Sequence, residues 1–259
     1  MKLADLTTVA LSEWLARGPL VALLPVGSVE PHGPHLPLAT DTLISEAAIA
    51  EALERLAAQG IDAVVAPAIP YGVTEYARGF AGAVSIDAAT LTAFVRNVVA
   101  ALLREGLTHV CIVNNHLEPE HDAALRAALV GLEGRATLAC PLTRRWGRTL
   151  SAEYKSGACH AGRYETSLVL AAAPELVDTE ASLGLPPLAT SLSEGIRAGK
   201  RTFAEMGLEA AYTGAPAEAT VEEGRELVSR LAEMVTTEVV EALAAWKSAS
   251  ATTASSATD

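Results

Sequence analysis

Apolar residues along the chain fall into two alternating patterns. Short continuous runs have the length and Val/Ile/Leu/Ala content of strands buried on both faces: LVALLPVG at 20–27, IDAVVAPAI at 61–69, THVCIVNN at 108–115 and RATLACPL at 135–142. Between them lie longer stretches with apolar residues at helical spacing. The first follows Asp41 and stops at Gly60. The second starts after Asp87, a residue suited to an N-cap, and the third near Pro119, at a favoured first-turn position. Further helices are predicted from Arg163 and from about Thr220 to Trp246. This alternation predicts an α/β fold, a mostly parallel central sheet flanked by helices. The N-terminal stretch MKLADLTTVALSEWLARG reads as an amphipathic surface helix and not as a signal peptide, because Asp, Glu and Arg interrupt its apolar positions. No repeat or internal boundary is visible, so residues 1–247 are read as a single domain. The tail 248–259, SASATTASSATD, is small, polar and aperiodic, and is expected to be disordered.

Composition narrows the function classes. Half of the 259 residues are hydrophobic, enough for a large core, yet runs such as VVAALL and LVLAAA are far too short to cross a bilayer. The three cysteines are odd in number and scattered, which argues against a disulfide framework and for a reducing, cytoplasmic setting. A net charge of −12 argues against nucleic acid and anionic membranes as partners, leaving a small-molecule substrate.

The polar chemistry collects after the predicted strands, where ligands bind in open α/β sheets. Glu30, His32 and Asp41 lie in EPHGPHLPLATD after the first strand, and His116 and Glu118 in VNNHLEPEH after the third. His160 and Glu165, in CHAGRYETS, follow the fourth after a longer loop. Of six histidines only His109 lies outside these stretches. Each residue has an ordinary reading on its own: a solvated loop for Glu30 and His32, an N-cap for Asp41, a strand exit for His116 and Glu118, a first helical turn for Glu165. His35 and His121 read either as supports for such a site or as exposed residues. Gathered in one volume, however, Glu30, Asp41 and Glu118 would repel one another unless cations lay among them. Mixed His and carboxylate ligands suit Zn²⁺ or Mn²⁺. Glu-x-His and His-x-Glu in extended chain each send both side chains to one side. Each stretch could thus serve two ions, with Asp41 bridging, in a centre that polarises a carbonyl and holds a hydroxide at neutral pH. Arg144, Arg145 and Arg148, in TRRWGR, read either as a solvated basic turn or as partners of an anionic substrate group.

The stretches LLPVGSVEPHGPHLPLATD, PAIPYGVTEYARGFAGAVSI, CIVNNHLEPEH, CHAGRYETSLVLAAAPELV and YTGAPAEATVEEGRELVSRL resemble, in order over about residues 18–245, the creatininase (creatinine amidohydrolase) family. The resemblance implies an α/β hydrolase with a binuclear Zn²⁺/Mn²⁺ centre, assembled as a homo-oligomer, commonly a hexamer. It implies Glu30 and His116 on one ion, His32 and Glu118 on the other, and Asp41 between them. His160 corresponds to the proton-shuttling histidine, and Glu165 completes the same motif; with Glu118 these are the expected catalytic residues. Thr74, Leu117, Ser156 and Gly157 fall at substrate-facing positions. The family closes its pocket with tryptophans, but Ser156 stands where one should precede the HAG histidine, so an aromatic wall is expected to be missing. The implied reaction is cleavage of a C–N bond in a small, possibly cyclic, amide by a metal-bridging hydroxide. Alternatives are hydrolysis of a formamide or a short peptide, isomerase or lyase chemistry on a polyol at the same metals, and non-catalytic metal binding.

Overall fold

The computed structural model describes residues 1–256, with side chains through 248. After a short N-terminal 3-10 turn come α1 (Thr8–Leu15), β1 (Leu20–Val26), α2 (Thr40–Ala58), β2 (Asp62–Val65), α3 (Ala88–Arg104), β3 (His109–Asn114), α4 (Pro119–Ala128) and β4 (Ala136–Ala139). They are followed by α5 (Arg144–Gly147), α6 (Ala152–Ser156), α7 (Arg163–Ala172), α8 (Thr179–Leu183), α9 (Leu192–Arg197) and α10 (Val221–Ser256). The four strands are all parallel, in the order β2-β1-β3-β4. Every residue of β1 and β3 is buried, as a sheet covered on both faces requires. One apolar cluster joins the sheet to α2, α7 and α10; the other joins it to α1, α3 and α4. The chain leaves β1 for β2 on one side and later reaches β3 on the other. The carboxyl ends of β1 and β3 therefore flank a topological switch point, the usual place for a ligand crevice.

The predicted strands are present but shorter, because the residues beyond 65 and 139 leave the ladder to build loops. Asp87 caps α3 by accepting the Thr90 N–H. Asp41 is not the cap of α2; it lies inside the first turn, and Ala39 occupies the cap. The short helices α8 and α9 carry too few turns to show a period. Beyond Trp246, α10 continues to Ser256, where no Gly or Pro interrupts the run of Ala, Ser and Thr; the last part of the expected disordered tail, 257–259, lies outside the described residues. All three cysteines are free and buried. Among the described residues no helix is long and apolar enough to cross a membrane.

His109, the histidine outside the polar stretches, starts β3 and shares a 2.9 Å hydrogen bond with the Thr137 hydroxyl. Burial pushes its imidazole down to about 4. Between the ordinary histidine value and that one, the unfolded chain binds a proton that the native state does not. Its contribution to stability is therefore full above the ordinary value and lost as pH falls, by roughly 3 kcal/mol over the window. Urea unfolding at pH 7.5 and pH 5 tests this, with pH values chosen at about one unit outside and inside that window. His109→Gln should flatten the slope, and a variant with the parental slope would contradict it.

Candidate metal centre and active site

Glycine at position 27 lets α2 meet the end of β1. A Cβ there would lie 2.6 Å from Thr42 Oγ1 and 2.9 Å from Asp41 Cβ. The first turn of α2 thus brings Asp41 over the sheet end, beside the loop that carries Glu30 and His32. Asp41 Oδ1 lies 3.3 Å from His32 Nε2, and its Oδ2 lies 3.0 Å from His116 Nδ1. Glu30 Oε1 is 3.2 Å from His116 Nδ1 and 3.6 Å from His32 Nε2. Glu165, in the first turn of α7, places Oε2 3.5 Å from His32 Nε2. Two groups able to hold a metal ion share Asp41, Glu30–Asp41–His116 and His32–Asp41–Glu165, and a third, Glu30–His32–His160, draws one member from each.

Each imidazole is aimed by a backbone carbonyl. His32 Nδ1–H donates to Glu30 O (3.1 Å), His116 Nε2–H to Val73 O (2.6 Å) and His160 Nε2–H to Pro31 O (3.0 Å). Such anchoring fixes the tautomer and leaves the other ring nitrogen facing the carboxylates. Ala161, with φ +47°, turns the chain between His160 and Glu165 and donates its N–H to Glu165 Oε2 at 2.7 Å. The loop holding both residues is fixed by Glu153, whose carboxylate accepts the Tyr164 N–H at 2.6 Å and the Ala215 N–H at 2.7 Å.

The electrostatics call for a cation. Burial lowers the His32 imidazole, but Asp41, Glu165 and Glu30 outweigh it and lift it to about 10. Burial likewise opposes, and Glu30 and Asp41 together achieve, a His116 well above its ordinary value. Burial raises the Glu30 carboxyl, yet His116 holds it at about 2, and His116 and His32 depress Asp41 further. Protons on two imidazoles meet this demand for positive charge. A divalent cation meets it better, because the ring lone pairs then become ligands. The unpartnered buried atoms point the same way: His32 Nε2, His116 Nδ1 and Asp41 Oδ2 have no hydrogen-bond partner. Burying such groups unsatisfied is costly, and the two ring nitrogens face opposite oxygens of the one Asp41 carboxylate.

Glu118 departs from the sequence-based arrangement. It stands as the N-cap of α4 and turns its carboxylate to the backbone N–H groups of Glu75 (3.0 Å) and Tyr76 (3.2 Å). The geometry groups His32 with Glu165, not with Glu118. Burial raises Glu118 to about 7 and Glu165 to about 8. Glu118 still lines the cavity above the centre, about 530 Å³ in volume, as do Leu117, Gly157, His160 and Glu165. Thr74 does not line it: its hydroxyl donates to Glu30 and is wholly buried. Ser156 is also outside, bonding back to Glu153 O. His35 and His121 are buried supports, bonded to Thr166 (2.8 Å) and Asn114 (3.2 Å).

The aromatic wall expected to be missing is supplied from elsewhere. Phe203 lines the cavity with its ring 4.5 Å from that of His160, and Tyr76 lines it as well. Phe203 lies in a segment without periodicity; only its place in the small cluster with Ala77 and Met206 reveals it.

The chain is similar to known proteins over most of its length. The creatininase family model, described as "Creatinine amidohydrolase", matches residues 4–239. The mycofactocin precursor peptide peptidase of Mycolicibacterium smegmatis is 34% identical over 214 residues, 82% of this chain and 81% of that one. The creatinine amidohydrolase of Pseudomonas putida is 30% identical over 194 residues, 67% and 72% of the two chains. A solved structure described as "Creatininase Mn" superposes with a TM-score of 0.71 at 23% identity, covering 92% of this chain and 97% of the other. A matching fold, a family model spanning most of the chain and a relative above thirty per cent identity place this chain in the creatininase family of hydrolases.

Proposed function

We propose that this chain is a metal-dependent hydrolase of a C–N bond, with an open-chain amide such as that of a short peptide as its substrate. The observation that carries the reading is the buried meeting of the His32 and His116 imidazoles with the carboxylates of Glu30, Asp41 and Glu165, three acids that line the cavity. Glu30, Asp41 and His116 would hold one Zn²⁺ or Mn²⁺, and His32, Asp41 and Glu165 a second. Bound there, such ions polarise a carbonyl and lower the pKa of a water nucleophile.

The remaining work falls to the chain. His160 spends Nε2–H on Pro31 O, so its Nδ1, 3.9 Å from both Glu30 Oε1 and Glu165 Oε2, is the atom that takes a proton from the nucleophile and returns it to the leaving nitrogen. Glu118, with its oxygens held by the Glu75 and Tyr76 N–H groups, stands on the cavity wall where its carboxylate can relay a proton between the reacting groups. Phe203 excludes water from the His160 face. A cavity of about 530 Å³ favours a chain substrate over a single small ring. A cyclic amide is the second reading, favoured by the Phe203 and Tyr76 rings, against which a flat ring would stack. A homo-oligomer belongs to the same proposal, and light scattering tests it.

The experiment is turnover of Mn²⁺- or Zn²⁺-loaded protein in H₂¹⁸O on short peptides, lactams and formamides. One solvent oxygen should enter each product carboxylate. His160→Gln should lower kcat roughly 10²- to 10⁴-fold with metal content retained. Deuterium exchange at carbon without oxygen uptake would replace hydrolysis by isomerase or lyase chemistry.

A further inference from the structure

Charge in the cavity is segregated. Its acids, Glu30, Asp41, Glu118 and Glu165, are buried at the floor. At its exposed mouth stand Arg144, Arg148, Lys155 and Arg197, contributed by α5 and its C-cap, α6 and α9. These cations converge on one opening of a protein whose net charge is −12. Six arginines elsewhere, Arg55, Arg78, Arg126, Arg145, Arg163 and Arg230, form ion pairs. Arg17, Arg96, Arg104, Arg135, Arg201 and Arg225 form none among the described residues, but they lie apart from the cavity. No ion pair to Arg144, Arg148, Lys155 or Arg197 occurs among the described residues. The contrast is sharpest within α5. Arg145 turns outward, grips both oxygens of Glu241 at 2.7 Å and lies over the Trp146 ring, whereas Arg144 and Arg148 face the cavity.

A solvated basic turn accounts for one such arginine. It does not account for cations from separate elements meeting around one cavity while an adjacent arginine finds an acid. Between floor and rim the walls are apolar, formed by residues such as Leu142, Ile196 and Phe203. From floor to mouth the cavity is thus complementary to a scissile amide, an apolar body and an anion.

We propose that the substrate is a peptide or N-acyl amino acid whose free carboxylate, beyond an apolar side chain, is held by Arg144, Arg148, Lys155 and Arg197. This rests on the hydrolytic reading above and assigns its substrate class. Guanidinium groups grip a carboxylate through paired N–H donors, and a primary amide in its place forfeits the charge-assisted bonds.

The test uses N-acetyl dipeptides with apolar side chains, each as the free acid and as the C-terminal primary amide, on the metal-loaded full chain. Turnover is measured by product release and affinity by calorimetry. The acid should be favoured roughly 10- to 100-fold in kcat/KM and in Kd. That advantage should shrink as salt is raised, since the rim is exposed. Arg144→Gln with Arg148→Gln should bring the acid close to the amide, whereas Arg145→Gln should keep the parental preference. Acid and amide within about twofold of each other, or a preference surviving the double substitution, would overturn the proposal. If no peptide is cleaved but the acid still binds more tightly, and the double variant loses that difference, the carboxylate site stands and the hydrolytic reading falls.

Discussion

Asp41→Asn is expected to abolish measurable turnover and to reduce bound Zn²⁺ or Mn²⁺ from about two equivalents per chain to well below one. Asp41 is the member common to both ligand groups, with one oxygen toward His32 and the other toward His116. Asparagine keeps the shape but removes the charge and presents an N–H₂ group where one of the two oxygens stood. The fall in activity should exceed the roughly 100-fold seen for residues that merely orient a ligand. Elemental analysis after dialysis gives the first readout and turnover with added metal the second, with circular dichroism to establish that the variant is folded. Parental metal content in the variant would remove Asp41 from the centre.

The second large effect separates two glutamates. Glu165→Gln should lose metal along with activity, because Glu165 stands in the group with His32 and Asp41. Glu118→Gln should keep its metal and lose turnover, by roughly 10²- to 10⁴-fold if it moves a proton. Its carboxylate is occupied by the Glu75 and Tyr76 N–H groups and reaches the cavity, not the ligand atoms. The same elemental analysis decides the matter. Metal lost from the Glu118 variant and kept by the Glu165 variant would reverse the assignment and restore the pairing of His32 with Glu118 that the family resemblance implies.

That pairing shows where reading residues in order stops being enough. The sheet was legible because buried parallel strands need continuous apolar runs, and the ligand-bearing loops were legible because they sit at strand ends. Alternation alone does not say where the Glu118 carboxylate turns, because the extended chain ends there. The residue caps α4, Pro119 starts the helix, and a loop some forty residues earlier in the chain supplies the N–H groups that claim its side chain. Thr74 lies off the cavity for a related reason, since its hydroxyl is bonded to Glu30. Phe203 left no signal: a lone aromatic in an aperiodic segment acquires its place beside His160 only through packing with Ala77 and Met206. Strand ends are a local property, whereas the partner of a given side chain is a property of the folded whole.

The Glu153 clamp has a cost. Its carboxyl is raised above the ordinary glutamate value, with burial the leading cause, so ionisation there works against the native state at neutral pH. An apolar side chain would avoid the burial of a charge, but it would strip two distant stretches of main chain of the acceptor for their amides. The molecule forgoes some of its margin against unfolding in order to keep an imidazole and a carboxylate, five positions apart in sequence, pointing at the same spot.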